Sequence, residues 1–222
     1  MYSKSQVVRM FDHTFLKAFG TKETILQLCN KAKELHTYSV CVNACWVKFC
    51  SEQLQNTDIK VCSVIGFPLG QCGLQTKLFE CKYAIEQGAD EIDYVIDVGQ
   101  AKMHNWDYIQ EEMEKMTAIC REKNVLIKVI FENCYLEKEE IKKLSEIAKV
   151  VKPDFIKTST GFGTGGATVE DVRLMKETVG DTVQVKAAGG IRDWKTCKEM
   201  LDAGATRIGI SASKAVYDQI ED

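Results

Sequence analysis

The sequence predicts a single-domain α/β protein, a closed (β/α)₈ barrel with a short N-terminal helix. Three observations carry that expectation. Eight apolar, strand-like runs alternate with amphipathic helical stretches. No long linker or low-complexity segment interrupts the 222 residues, so 1–222 is expected to fold as one domain rather than two. Several strands also end in lysines or carboxylates, which a barrel would gather at its C-terminal mouth. An open, doubly wound sheet fits these features less well.

In chain order, Tyr2 to Phe11 is expected as the leading helix and Asp12 to Leu16 as a first strand carrying polar groups. Lys22 to Leu35 sets Ile25, Leu28, Cys29, Ala32 and Leu35 on one face, the spacing of an amphipathic helix. Ser39 to Asn43 is the second strand, with a helix from Trp46 to Leu54. Lys60 to Ile65 is the third strand, with a helix from Leu74 to Gln87 closed by Gly88. Glu91 to Asp97 and a long helix from Trp106 to Lys123 follow, then Leu126 to Phe131 with Glu137 to Val150. Asp154 to Lys157 is the sixth strand, and Thr168 caps a helix from Val169 to Val179. Val183 to Lys186, a helix from Asp193 to Ala203, Arg207 to Ile210 and a helix from Ser211 to Ile220 complete the series.

Hydrophobic residues make up 45% and charged residues 27% of the chain, enough apolar material for a full core. The net charge is −3 and no basic run is present, which argues against nucleic acid or an anionic membrane as the main partner. Met1 to Met10 lacks the apolar core of a signal peptide and no run approaches a membrane span, so a cytoplasmic location is expected. The ten cysteines include no Cys-x-x-Cys pair and read as free buried thiols, while His13, His36 and His104 share no ligand spacing. No metal or cofactor is implied.

The chemistry concentrates in Phe155-Ile156-Lys157-Thr158-Ser159-Thr160-Gly161-Phe162-Gly163-Thr164-Gly165-Gly166, where a lysine ends an apolar strand and a glycine-rich loop follows. A lysine held there and partly desolvated sheds its proton more easily than one in water, the condition for attack on a carbonyl carbon. The plainer alternative is a surface lysine before a flexible loop. Period-two alternation turns Glu91, Asp93 and Val95 to one inner face and Lys128, Ile130 and Glu132 to another, with Lys157 and Lys186 also pointing inward. Isolated buried charges are costly, so these groups are expected to compensate one another, either as a reactive cluster or as salt bridges capping the barrel. The glycines of this loop and of Ala188-Gly189-Gly190-Ile191-Arg192 suit an anion site beside the last strands, with Ser211 adding a hydroxyl; alternatively they only permit tight turns. Gly161-x-Gly163-x-x-Gly166 also fits a dinucleotide fingerprint, but Asp181 precedes its strand where a ribose-binding acid should end one.

Phe11-Asp12-His13-Thr14, Val40-Cys41-Val42-Asn43, Val64 to Gly70, Gly88 to Asp93, Lys157 to Gly166 and Val185 to Arg192 together resemble the deoxyribose-phosphate aldolase family over essentially the whole chain. The resemblance implies a class I, metal-free aldolase that reversibly cleaves 2-deoxy-D-ribose 5-phosphate into acetaldehyde and D-glyceraldehyde 3-phosphate. It implies that Lys157 forms the Schiff base, that Lys186 is the second lysine, that Asp93 is the acid/base carboxylate and that Asp12 sits near Lys186. Thr160, Gly161, Gly189, Gly190 and Ser211 are the positions implied for substrate and phosphate, and a homodimer or homotetramer is implied for the assembly. Departures from the family pattern are Glu132-Asn133-Cys134, Ala44 after Asn43, Ile210 beside Ser211 and the lack of a terminal tyrosine. Two rival functions remain: an isomerase or epimerase of a phosphorylated sugar using Asp93 and Lys186 without a covalent intermediate, and a non-catalytic sensor that keeps the phosphate site.

Overall fold

The structure is a computed structural model that describes residues 2–221; Met1 and Asp222 lie outside the described residues. Eight parallel strands close into a ring, each paired with its neighbours in sequence. They are β1 (Phe11–Thr14), β2 (Ser39–Asn43), β3 (Lys60–Ile65), β4 (Glu91–Val95), β5 (Leu126–Ile130), β6 (Phe155–Lys157), β7 (Gln184–Ala188) and β8 (Arg207–Ile210). The ring is sealed where Asp12 of β1 stands opposite Gly209 of β8. Around it run α1 (Lys4–Val8), α2 (Lys22–Leu35), α3 (Val47–Leu54), α4 (Leu74–Glu86), α5 (Val98–Lys102), α6 (Trp106–Glu122), α7 (Lys138–Val151), α8 (Val169–Val179), α9 (Trp194–Asp202) and α10 (Ser213–Tyr217).

Strand alternation divides the interior in two. Val40, Ile92, Val129, Ile156, Val185 and Ile208 belong to the core shared with the apolar faces of the helices, among them Ile25 and Leu28 of α2 and Ile109, Met113 and Met116 of α6. The residues between them in sequence face the barrel axis, where aliphatic layers would be usual. Here a small apolar cluster of Leu16, Cys41, Cys62 and Val64 packs against Phe67. Charged groups share the remaining axial volume with the buried side chains of Val95, Ile130 and Phe155. Local caps start the helices around this ring: Thr168 Oγ1 accepts the Asp171 N–H at 3.1 Å, and Asp193 Oδ1 accepts the Thr196 N–H at 2.8 Å. In the outer layer a fully buried pair, Lys77 Nζ to Glu112 Oε1 at 2.6 Å, ties α4 to α6, and Glu112 Oε2 accepts the Asp97 N–H at 3.1 Å, fixing the loop after β4.

Several expected boundaries are corrected. The leading helix stops at Val8 because Phe11 is buried in β1 opposite Ile208, and β1 ends at Thr14 rather than Leu16. A 3₁₀ turn, Ala44–Trp46, precedes α3, so the helix expected from Trp46 begins at Val47. β4 ends at Val95 rather than Asp97, because Asp97 Oδ1 accepts the Gln100 N–H at 3.1 Å and caps α5, a helix the sequence pattern did not suggest. β7 extends to Ala188, and the last helix covers only Ser213–Tyr217. All ten cysteines are free, but Cys45 and Cys72 are exposed rather than buried.

Candidate active site

Asp93, the third residue of β4, collects the barrel's cations. Its Oδ2 accepts hydrogen bonds from Lys157 Nζ at 2.8 Å and Lys186 Nζ at 2.6 Å, and its Oδ1 lies 2.9 Å from Lys128 Nζ. The Cys62 thiol donates to the same Oδ1 at 3.1 Å. Strand register produces this meeting: Asp93 stands opposite Lys128, and Lys157 opposite Lys186. Lys186 also donates to Asp12 Oδ2, and Asp12 Oδ1 accepts from Ser39 Oγ at 2.7 Å and Arg207 Nη1 at 2.8 Å. Deeper, at the first residues of β4 and β8, Glu91 takes Lys128 at 2.6 Å and Arg207 at 3.1 Å, and the Arg207 guanidinium lies 3.6 Å from the centre of the Tyr38 ring.

Burial alone would push the Asp93 carboxyl up, but Lys128, Lys157 and Lys186 outweigh it and hold the group well below the usual carboxylate range. Asp12 is lowered in the same way: Lys186, Arg207 and Lys128 overcome its desolvation. Burial would strip the proton from Lys186, but Asp12 and Asp93 hold it more firmly than an ordinary lysine. In the resting network Lys186 is therefore held as an ammonium. The connected network sets four cationic side chains, Lys128, Lys157, Lys186 and Arg207, against the three carboxylates of Asp12, Glu91 and Asp93.

A cavity of about 360 Å³ opens at the C-terminal ends of the strands. Of the network, only Lys157 lines it; Asp93, Lys186 and Asp12 are fully buried behind that lysine. Thr160, Gly161, Gly189, Gly190 and Ser211 line the same cavity, so the expected site residues converge on one place with Asp93, Lys186 and Asp12 as its backing. Gly189 has φ +87°, and a Cβ there would lie 3.0 Å from the Gly166 Cα, so the loops after β6 and β7 pack backbone against backbone. Gly209 serves the network: a Cβ there would lie 3.1 Å from Lys186 Cε. Thr160 is already engaged, since its N–H donates to Glu132 Oε1 at 3.0 Å, its hydroxyl to Glu132 Oε2, and its Oγ1 accepts the Phe162 N–H at 3.0 Å. Its contribution is to shape the loop.

Sequence reasoning missed Arg207 as a member of the network, Lys17 and Arg192 as cations on the cavity wall, and Phe162 as part of that wall. The Ile191-Arg192 dipeptide after two glycines was a usable signal for Arg192; Arg207 had none, because its partners lie more than a hundred residues away. The fold also brings Cys41, Cys62 and Asp93 together with ligand atoms within 4.8 Å of one another. This donor set suits a metal ion poorly. Three lysines already contact the Asp93 oxygens, and burial pushes the Cys62 thiol up, away from the thiolate a metal requires.

A family model described as DeoC/LacD family aldolase matches residues 6–218. The chain belongs to this aldolase family. It is 53% identical over 220 residues to a deoxyribose-phosphate aldolase of Lactobacillus acidophilus, covering 99% of this chain and 93% of that protein. It is 47% identical over 222 residues to one from Thermococcus kodakarensis, covering 99% of each. Among solved structures, the tetrameric deoxyribose phosphate aldolase of Aeropyrum pernix superposes with a TM-score of 0.91 at 27% identity, covering 97% of this chain and 91% of that one. Lys157, at the end of β6, is the network's strand-end lysine that faces the open cavity.

Proposed function

We propose that this aldolase reversibly cleaves 2-deoxy-D-ribose 5-phosphate to acetaldehyde and D-glyceraldehyde 3-phosphate through a Schiff base on Lys157. The observation that carries the reading is that Lys157 alone connects the buried charge network to the cavity. The substrate assignment is supported by relatives named deoxyribose-phosphate aldolase that match nearly the full chain. An unactivated aldehyde enolate is too basic to leave directly, whereas a protonated imine accepts the electrons of the breaking carbon–carbon bond and becomes a neutral enamine.

The geometry suggests how Asp93 enters. An ammonium offers three N–H donors and a protonated imine only one, so condensation at Lys157 weakens its claim on Asp93 Oδ2. That oxygen then turns to the hydroxyl on the carbon beside the breaking bond and accepts its proton. Because Asp93 is such a weak base, the proton does not stay; Lys186, 2.6 Å away, shares the relay, with or without a water, and returns a proton to the enamine carbon. Asp12 and Arg207 hold Lys186 in place from behind. The phosphate fits at Gly189, Gly190 and Ser211, with Lys17 and Arg192 on the same wall.

This reading carries with it a cytoplasmic enzyme of deoxyribonucleotide breakdown, consistent with the lack of any helix long and apolar enough to cross a membrane among the described residues. A homo-oligomer fits the tetrameric relative. An isomerase using Asp93 and Lys186 without covalent chemistry would leave Lys157 no role at the cavity. The test is borohydride reduction in the presence of deoxyribose 5-phosphate, followed by mass spectrometry. A reduced substrate fragment is expected on Lys157 and is expected to vanish in Lys157→Leu; trapping at another lysine in that variant would refute the assignment.

A further inference from the structure

Beside the catalytic cavity lies a second one of about 300 Å³, and Phe162 lines both. The second cavity is built from the loops after β3, β4 and β5, with Leu69, Val98 and Tyr135 among its lining. The Phe162 ring stands edge-on to Phe67, with centroids 5.3 Å apart and planes at 86°. Its N–H donates to Thr160 Oγ1, which Glu132 holds in turn, so the partition is braced from ring and backbone. The charged groups on the second cavity are already engaged: Lys102 donates to Glu140 Oε2 at 2.8 Å, and Glu132 accepts from Thr160. Apart from Gln71, the side chains left to contact a ligand are mainly apolar: Pro68, Leu69, Val98, Tyr135 and Phe162. Leu69 is 71% exposed, Phe162 52% and Tyr135 46%, a concentration of open apolar surface at the rim of a reactive cavity.

We propose that Phe162 is a specificity-determining partition: it restricts the aldehyde donor to a short chain by separating Lys157 from a pocket suited to an uncharged aliphatic substituent. The inference rests on the Schiff-base reading above and extends it to the donor. In that reading the phosphorylated fragment extends from Lys157 toward the loops after β7 and β8. Substituents on the donor carbons then project toward the opposite arc, over β3 to β5, where the second cavity opens. The reaction itself is unchanged. The donor aldehyde condenses on Lys157 with loss of water, gives up a C2 proton to become the enamine, and adds through C2 to the acceptor carbonyl carbon. The carbonyl oxygen takes up a proton, and water then releases the hydroxyaldehyde and the free amine.

The test measures aldol addition to D-glyceraldehyde 3-phosphate with acetaldehyde, propanal and butanal as donors. In Phe162→Ala the ratio of kcat/KM for butanal to that for acetaldehyde is expected to rise on the order of tenfold over wild type, from the burial of two further methylenes. Val98→Phe fills the second cavity from its far side. Alone it should leave acetaldehyde turnover unchanged, and combined with Phe162→Ala it should return the ratio to the wild-type value. An unchanged ratio in Phe162→Ala, or a raised ratio that survives Val98→Phe, overturns the proposal while leaving the Schiff-base reading intact. Failure of the wild-type enzyme to add acetaldehyde, together with failure of borohydride trapping, overturns both.

Discussion

Replacing Asp93 with asparagine tests the centre of the network in two ways at once. The carboxylate meets Lys157, Lys186 and Lys128 at 2.8, 2.6 and 2.9 Å and is fully buried, so Asp93→Asn keeps the shape but leaves three lysines facing a neutral amide. Removing one partner of a buried charge pair costs about 3–5 kcal/mol. At about 2–4 °C per kcal/mol for a chain of this size, that lowers the melting temperature on the order of 10 °C. The sign with pH follows from the depressed Asp93 carboxyl. Its stabilisation is present above the unfolded value of about 3.9 and is lost as pH falls below it, so the gap between variant and wild type should narrow toward acid. Catalytically, an amide cannot accept the substrate hydroxyl proton, and losing that function lowers turnover by about 10²–10⁴-fold. Asp93→Asn leaves the Lys157 amine in place, so borohydride trapping at neutral pH should persist in the folded variant. The assays are a thermal melt across pH, steady-state cleavage of deoxyribose 5-phosphate, and trapping. Turnover within a fewfold of wild type would remove Asp93 from the proton path, and an unchanged melting temperature would show that the network does not depend on its charge.

Lys186→Met removes the ammonium shared by Asp12 and Asp93 and is expected to lower cleavage of deoxyribose 5-phosphate by about 10²–10⁴-fold, the size of a lost proton-transfer group; turnover within a fewfold of wild type would remove Lys186 from the relay. Gly189→Ala places a Cβ 3.0 Å from the Gly166 backbone in a residue at φ +87°, so KM for the phosphorylated sugar should rise steeply, while unphosphorylated deoxyribose, already a poor substrate, should be affected far less; equal losses with both sugars would argue against a phosphate site there. His13 is buried against Ser213 Oγ at 2.8 Å, and burial lowers its pKa to about 4. The unfolded chain therefore takes up that proton first, and stability should fall by up to about 1.4 kcal/mol per pH unit between roughly pH 6.5 and 4, a slope that His13→Gln should flatten in pH-dependent denaturant melts.

What the sequence disclosed followed from how local each signal was. Lys22–Leu35, Ser39–Asn43, Lys60–Ile65, Val169–Val179 and Arg207–Ile210 were legible to the residue, because an apolar period, a threonine cap or a β-rich run lies wholly inside each. α5 was not, because five residues with a glycine in second place carry no apolar period, and its one signal, Asp97 capping Gln100, read instead as the end of a strand. Period-two alternation correctly turned Lys157, Lys186 and Asp93 inward. Alternation says which face a charge occupies but not how deep it lies. Glu91 and Arg207 open their strands, so they meet at the floor of the barrel rather than at its mouth, and the charge cluster divides into a deep tier of salt bridges and an upper tier around Asp93 that Lys157 joins to the cavity. That stacking has a consequence for the chemistry. The deep pairs with Glu91 and Asp12 anchor Lys128, Arg207 and Lys186 below the mouth, so the one amine of the network that a carbonyl carbon entering the cavity can reach is that of Lys157.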